Sequence, residues 1–256
     1  MAQAHAYDDT FYRYIQRGSV RSAQAVIPIL KQNLALESVL DVGCGAGAWL
    51  AVYRRLGVTD SHGVDGDYMK PASLLIPPDA FTPRDVSRSF DLGRRFSLAQ
   101  CLEVGEHIAP EASAVLVANL VRHSDCVLFS AAIPGQGGEN HVNERPYEFW
   151  RALFAEHGYA PYDFLRPLLR GASGVEIWYR QNAVFYVAGH ARSQMPPAIL
   201  QTRVPDGQPI ADFSSFSYRL RTKLLALLPV PWLTQLSVIK HRCILLFHSS
   251  EEPTGV

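Results

Sequence analysis

The sequence predicts an α/β domain built on a doubly wound, seven-stranded, mostly parallel sheet, with helices before it and an appendage after it. Three observations carry this expectation. Short apolar runs alternate with amphipathic stretches from residue 38 to about residue 189, the pattern of parallel strands joined by crossover helices and covered on both faces. The first run, Ser38-Val39-Leu40-Asp41-Val42, leads straight into glycines at alternate positions, Gly43, Gly45 and Gly47. Such glycines let the chain turn tightly and let a ligand approach bare backbone. A second run, His62-Gly63-Val64-Asp65, again ends on an acid, 24 positions after Asp41, a spacing that fits one intervening helix.

The elements follow in order. Residues 8–36 read as two helices, the first carrying Phe11, Tyr12 and Ile15, the second starting near Ser19 or Ser22 and bent by Pro28. As a cover over a ligand crevice they would bring Tyr12, Tyr14 and Arg17 to it; as an amphipathic layer their aromatics would be core. Strands are expected near 38–42, 61–65, 80–84, 97–102, 125–131, 162–167 and 183–188, with a helix over about 47–56. Pro196, Pro197, Pro205 and Pro209, with Asp206-Gly207, mark a linker through about residue 213. Beyond it, Phe216, Leu220, Leu224, Leu227 and Leu228 share a helical face, flanked by Arg219 and Lys223 on one side and Arg221 on the other. Three units result: a helical cover at 1–36, a sheet domain at 37–189, and a linker with a basic amphipathic extension at 190–256.

Bulk properties narrow the function classes. The 256 residues suffice for one large domain with a substantial core and an appendage. With 24 basic and 24 acidic residues the net charge is zero, which argues against a nucleic-acid partner bound over the whole surface. The four cysteines, at 44, 101, 126 and 243, form no C-x-x-C pair, so a reducing compartment, the cytoplasm, is expected. The first residues lack the basic and apolar regions of a secretory signal, and no run reaches membrane-spanning length. Contact of the basic extension with a membrane surface or with a second copy of the chain is compatible with this, packing on the domain or a partner subunit being favoured.

The glycine turn itself admits two cofactors, and Asp41 separates them. Gly43, Gly45 and Ala48 satisfy a loose G-x-G-x-x-A dinucleotide fingerprint. That turn places phosphate at the helix N-terminus, where a carboxylate beside the first glycine would repel it. S-adenosylmethionine (SAM) carries no phosphate but has an ammonium group, which the same carboxylate would attract. The segment resembles motif I of class I SAM-dependent methyltransferases, whose fold is Rossmann-like with an antiparallel last strand. The resemblance implies that Asp41, Gly43, Cys44 and Gly45 line the methionine and ribose side. Asp65, beside Gly66, is placed to accept the ribose hydroxyl protons, a role favoured over that of a plain turn acid. Asp85 and Val86, after the third strand, would face the adenine, and Cys101 and Leu102, ending the fourth, would wall the cofactor.

The densest polar constellation follows the fourth strand: Glu103-Val104-Gly105-Glu106-His107. This E-x-x-E-H resembles the fourth motif of ubiquinone-biosynthesis O-methyltransferases and of small-RNA 2′-O-methyltransferases. A helix beginning at Glu103 would align Glu103, Glu106 and His107 on one face, two oxygens and a nitrogen suited to Mg, Mn, Fe or Zn. By the same resemblance, His141, in the glycine-rich loop after the fifth strand, would complete the metal site. Without metal, His141 is the leading general base and His107 the second, because an imidazole titrates near working pH. Asn140, Asn143, Glu144 and Arg145 would be further acceptor contacts, and Trp178 and Tyr179 would be either a stacking wall or core. The expected activity is SAM-dependent methylation, favouring a hydroxyl on a small molecule such as a sugar, a lipid-linked compound or a natural product. An NAD-dependent oxidoreductase and a catalytically silent partner-binding module on the same sheet are the alternatives; binding of NAD without SAM would favour the first, and lack of any turnover the second.

Overall fold

The computed structural model describes residues 9–214, 216–225, 227, 232 and 235, the backbone alone at 9–15 and 216. Among these residues seven strands form one sheet: β1 (Ser38–Val42), β2 (Asp60–Asp65), β3 (Phe81–Pro83), β4 (Leu98–Leu102), β5 (Cys126–Ser130), β6 (Tyr159–Tyr162) and β7 (Val184–Ala188). Their order is β3-β2-β1-β4-β5-β7-β6. Neighbours pair in parallel except β7, which runs antiparallel to both β5 and β6. The chain winds outward from β1 to β3, then crosses over to β4. Strand order therefore reverses between β1 and β4, and a crevice opens beyond their C-terminal ends. The predicted fold class is the observed one.

Strands β1, β4, β5 and β7 are buried along their whole length, as sheets covered on both faces require. Leu40, Leu98 and Leu128 are fully enclosed, each stabilising the fold by about 1.5–3 kcal/mol relative to exposure. The cover consists of α1 (Asp9–Asn33), α2 (Ala48–Arg55), α3 (Ser113–His123), α4 (Tyr147–Glu156), α5 (Leu165–Leu168), α6 (Ile177–Asn182) and α7 (Pro197–Leu200); α8 (Phe216–Leu225) follows. None of the helices searched among the described residues is long and apolar enough to cross a membrane.

Four expectations are corrected. The N-terminal segment is one helix, α1, running through Pro28. Ser19 and Ser22, expected to cap a second helix, lie inside it: the Ser22 hydroxyl donates back to the Gly18 carbonyl (2.8 Å) and accepts from the Glu176 amide, while Ser19 bonds the Tyr179 hydroxyl. The sixth strand starts three residues earlier than predicted, because Gly158 takes a positive φ of 76° and ends α4 there. The apolar residues after it, Phe164 and Leu165, belong instead to the α5 turn. Residues 190–214, read as a linker, pack on the domain, with Ile199 and Ile210 in its core and Arg203 bridging to Tyr162 on β6.

The fourth correction concerns residues 103–108, expected as the start of a helix. They form a turn, with Glu103 at a left-handed φ of 57°, and α3 begins only at Ser113, after a short 3-10 turn opened by Pro110. A non-glycine residue with positive φ holds a strained conformation that its surroundings must support. Here the Glu103 amide donates to the Ser130 carbonyl (2.9 Å) at the end of β5.

Candidate active site

The glycine turn is built as the sequence implied. Gly43, Gly45 and Gly47 all have positive φ, 79°, 55° and 83°. A side chain at Gly43 would collide with Val104, one at Gly47 would press on Ile76, and one at Gly45 would project into open space. That opening lies beside the ends of β1 and β2, where Asp41 and Asp65 are both buried. The Asp65 carboxylate grips the turn, accepting the Gly45 amide (2.6 Å) through Oδ2 and the Gly66 amide (2.7 Å) and Tyr68 hydroxyl through Oδ1. Burial pushes the Asp41 carboxyl up to about 7, opposed by the nearby Gln100 side-chain amide and assisted by Asp65. Gln100 in turn accepts from the Tyr53 hydroxyl.

The other expected cofactor residues are less uniform. Cys44 is half-buried, Cys101 and Leu102 are buried on β4, and Val86 is half-buried. Asp85 stands two residues past β3 and is exposed. Its carboxylate accepts from the Ser87 amide (3.0 Å) and hydroxyl, which holds its pKa below the usual range. Tyr12 and Tyr14 belong to the residues whose side chains lie outside the described structure, and Arg17 is exposed.

The turn after β4 and the loop after β5 bring together three of the four predicted metal ligands. Donor atoms of Glu106, His107 and His141 lie within 4.8 Å of one another. The His107 and His141 rings meet edge to face at 4.9 Å. Glu106 is 1% exposed, and its Oε2 has no hydrogen-bond partner; burial and the neighbouring Glu103 carboxylate push its pKa well up. Although solvent reaches His107, the protein packed around it and the adjacent His141 lower its pKa to about 4.

Glu103 neighbours Glu106 but is not one of that trio. Its carboxylate accepts the Gln136 side-chain amide (3.0 Å) and the Asn182 side-chain amide (3.1 Å), and Asn182 also donates to Gln136 (2.9 Å). Gln136 and Asn182 were missed in the sequence, since nothing in their neighbourhoods marks an isolated carboxamide as a partner for a residue 33 or 79 positions away. Glu144, expected to touch the acceptor, holds His141: its Oε1 pairs with His141 Nδ1 (2.8 Å), and its two oxygens accept the Gly135 and Gly137 amides. Gly138 leaves room for that imidazole, since a Cβ there would fall 2.1 Å from Nε2. Asn140 takes a left-handed φ of 57° beside it. Asn143 is structural, donating to the Gly105 carbonyl and the Ser113 hydroxyl. Arg145 donates to Asn143 and covers the Phe149 ring. Tyr179 is core on α6, its ring 5.1 Å from Trp49, and Trp178 packs beside it at 6.0 Å.

A family model described as a methyltransferase domain matches residues 12–161. The chain belongs to that family. This SAM-dependent methyltransferase shares its fold with several solved structures. The sugar N-methyltransferase KedS8 from Streptoalloteichus sp ATCC 53650 superposes with a TM-score of 0.53 at 18% identity, covering 73% of this chain and 98% of that chain. Streptomyces venezuelae DesVI gives 0.51 at 16% identity, with coverage of 70% and 95%. Magnesium protoporphyrin IX methyltransferase from Synechocystis PCC 6803, solved with bound SAM, gives 0.51 at 16% identity, with coverage of 72% and 86%. No curated protein matches the chain. The methyltransferase fits its cofactor in two respects: the Gly45 backbone faces open space, and two buried carboxylates flank it where a cationic and hydroxylated ligand would meet them.

Proposed function

We propose that this methyltransferase methylates a hydroxyl group of a small molecule, a sugar, lipid-linked compound or natural product, with His141 as the general base. The observation that carries the reading is the Glu144–His141 pair, 2.8 Å apart, on the loop that follows β5. A neutral amine is nucleophilic enough to attack as it stands, whereas a hydroxyl is a weak nucleophile that must shed a proton as its oxygen is methylated. A carboxylate fixed to Nδ1 leaves Nε2 to take that proton and stabilises the imidazolium that forms. Glu144 is itself held by two backbone amides.

SAM supplies a methyl group on a positively charged sulfur. Asp41 would face its ammonium, Asp65 and Gly66 its ribose, and Gly43, Cys44 and Gly45 would give it backbone to lie against. Asp65 already accepts three hydrogen bonds and, as a carboxylate with about four acceptor sites, would have room for a ribose hydroxyl. Asp85 and Val86 mark the adenine end, and Cys101 and Leu102 the wall between cofactor and acceptor. Placement of acceptor and methyl in contact supplies about 7–11 kcal/mol of the rate enhancement.

His141→Ala should lower kcat by about 10²–10⁴-fold while calorimetry finds SAM affinity unchanged. Acceptors are found by screening hydroxylated and aminated compounds for the mass gain of a methyl group. Full turnover of a hydroxyl acceptor by His141→Ala would refute the base.

A second reading has its own observation. Glu106 Oε2 is buried without a partner and lies in the cluster with His107 and His141, one carboxylate and two imidazoles, a donor set that suits Fe or Zn better than Mg or Mn. A divalent ion there would lower the pKa of the acceptor hydroxyl and orient it. The ion would use these three residues and leave Glu103 to its carboxamide partners. Elemental analysis of protein prepared without an affinity tag should then find one ion per chain. Metal-free protein fully active in chelator would remove this reading and leave the His141 base intact.

A further inference from the structure

We propose that α8 docks on an anionic membrane surface and so holds the mouth of the acceptor site at the lipid–water interface; the part of this concerning the acceptor rests on the function proposed above. The first argument is the direction in which α8 faces. At 100° per residue, Leu220 and Leu224 of α8 fall on one narrow arc, and Leu227 follows in the turn beyond the helix. A helix packed on its own domain turns such an arc inward. Here the arc points outward: Leu220, Leu224 and Leu227 are 50%, 59% and 80% exposed, and Trp232 is 64% exposed. Thr222, on the opposite side, is the buried one. The expectation that this face packs on the domain is thereby corrected for the described leucines; Leu228 and the Phe216 side chain lie outside the described structure.

Charge selects the occupant. Arg219 and Lys223 flank the leucine arc on one side, the arrangement in which long cationic side chains reach lipid headgroups while leucines enter the acyl boundary, and Arg221, on the other side, turns inward. Residues 216–249 hold five Lys or Arg and no Asp or Glu. Two copies joined through this face would oppose cation to cation. An anionic lipid surface answers both the apolar arc and its flanks.

The inner side of α8 touches the candidate site. Arg221 Nη1 donates to the Gln136 carbonyl (3.3 Å), and the Gln136 side chain donates to Glu103. A bilayer seated on the outer face would thus lie one helix diameter, about 10 Å, from the loop that carries His141. An acceptor entering there arrives from the interface, which favours an amphiphilic or lipid-linked hydroxyl compound over a freely soluble one.

The test uses the full chain and vesicles of phosphatidylcholine with or without phosphatidylserine. The chain should sediment with vesicles containing phosphatidylserine, dissociate at high salt, and bind pure phosphatidylcholine weakly. A Leu220→Glu, Leu224→Glu double variant should bind at least about tenfold more weakly while keeping SAM affinity, which also reports that it is folded. Brominated lipids should quench wild-type fluorescence and lose that part of the effect in Trp232→Phe. Hydrogen exchange at residues 135–139 should slow on vesicles. Absence of vesicle binding would overturn the docking, as would self-association that the double variant abolishes while vesicle binding persists. Unchanged exchange at 135–139 on bound vesicles would overturn the link to the acceptor site. Vesicle binding without any affinity for SAM would instead defeat the proposed function and leave the docking standing.

Discussion

Asp41 is a buried acid whose protonation the fold controls, and that gives the cofactor step a pH dependence. Its pKa rises from 3.8 to about 7 on folding, so the folded state favours the neutral carboxyl. The stability this contributes is complete below the unfolded value and is lost as pH rises through about 7. A ligand ammonium reverses the preference by favouring the carboxylate. SAM affinity should therefore increase between about pH 6 and pH 8, with proton release at the lower end, and Asp41→Asn should flatten that profile in calorimetry. A wild-type profile as flat as the variant's would remove Asp41 from the ammonium. Much at this scale was legible, because Asp41 and the glycines sit next to one another along the chain and Asp65 ends the strand that follows one helix later. The Glu144–His141 dyad was not, although both residues were named: an i, i+3 pair in a loop meets only if the backbone bends between them, here where the Val142 and Asn143 amides both donate to the Glu106 carbonyl.

At the scale of elements, the turn at residues 103–108 and the short helix α5 show where sequence patterns mislead. E-x-x-E-H has helical spacing, yet the left-handed Glu103 sends its carboxylate toward Gln136 and Asn182 and leaves Glu106 and His107 to meet His141. Periodicity describes the elements between turns and is silent about a single strained residue. In α5 the organising residue is Arg166, its side chain fully buried and paired at 2.8 and 2.7 Å with both oxygens of Asp163. It also donates to the Gln181 carbonyl and lies over the rings of Tyr147 and Phe213. An ion pair thus stands where the apolar pattern had implied a strand. Arg166→Met should lower stability by about 3–5 kcal/mol, because it leaves Asp163 partly buried and unpaired. The shift in the urea midpoint measures it, and a change within about 0.5 kcal/mol would show that the pair adds nothing net.

For the whole molecule, the alternation of apolar runs was enough for the sheet, its seven strands and its mostly parallel sense, since each strand of such a sheet is buried on both faces and reads as a continuous apolar run. The ends of the chain were harder, because what a helix packs against is a matter of tertiary contact. The packing of residues 190–214 has one more effect. β6 is the last strand of the sheet, and an uncovered last strand offers unpaired amides and carbonyls to any passing chain. Arg203 bridges to Tyr162, the Val204 amide donates to the Pro161 carbonyl (2.9 Å), and Arg151 fastens the returning segment at Pro205 and Gln208. The proline-rich stretch thereby works as a selvedge: it finishes the border of the sheet so that it does not recruit further strands, and a chain cut after β7 would be prone to aggregate even with its glycine turn intact.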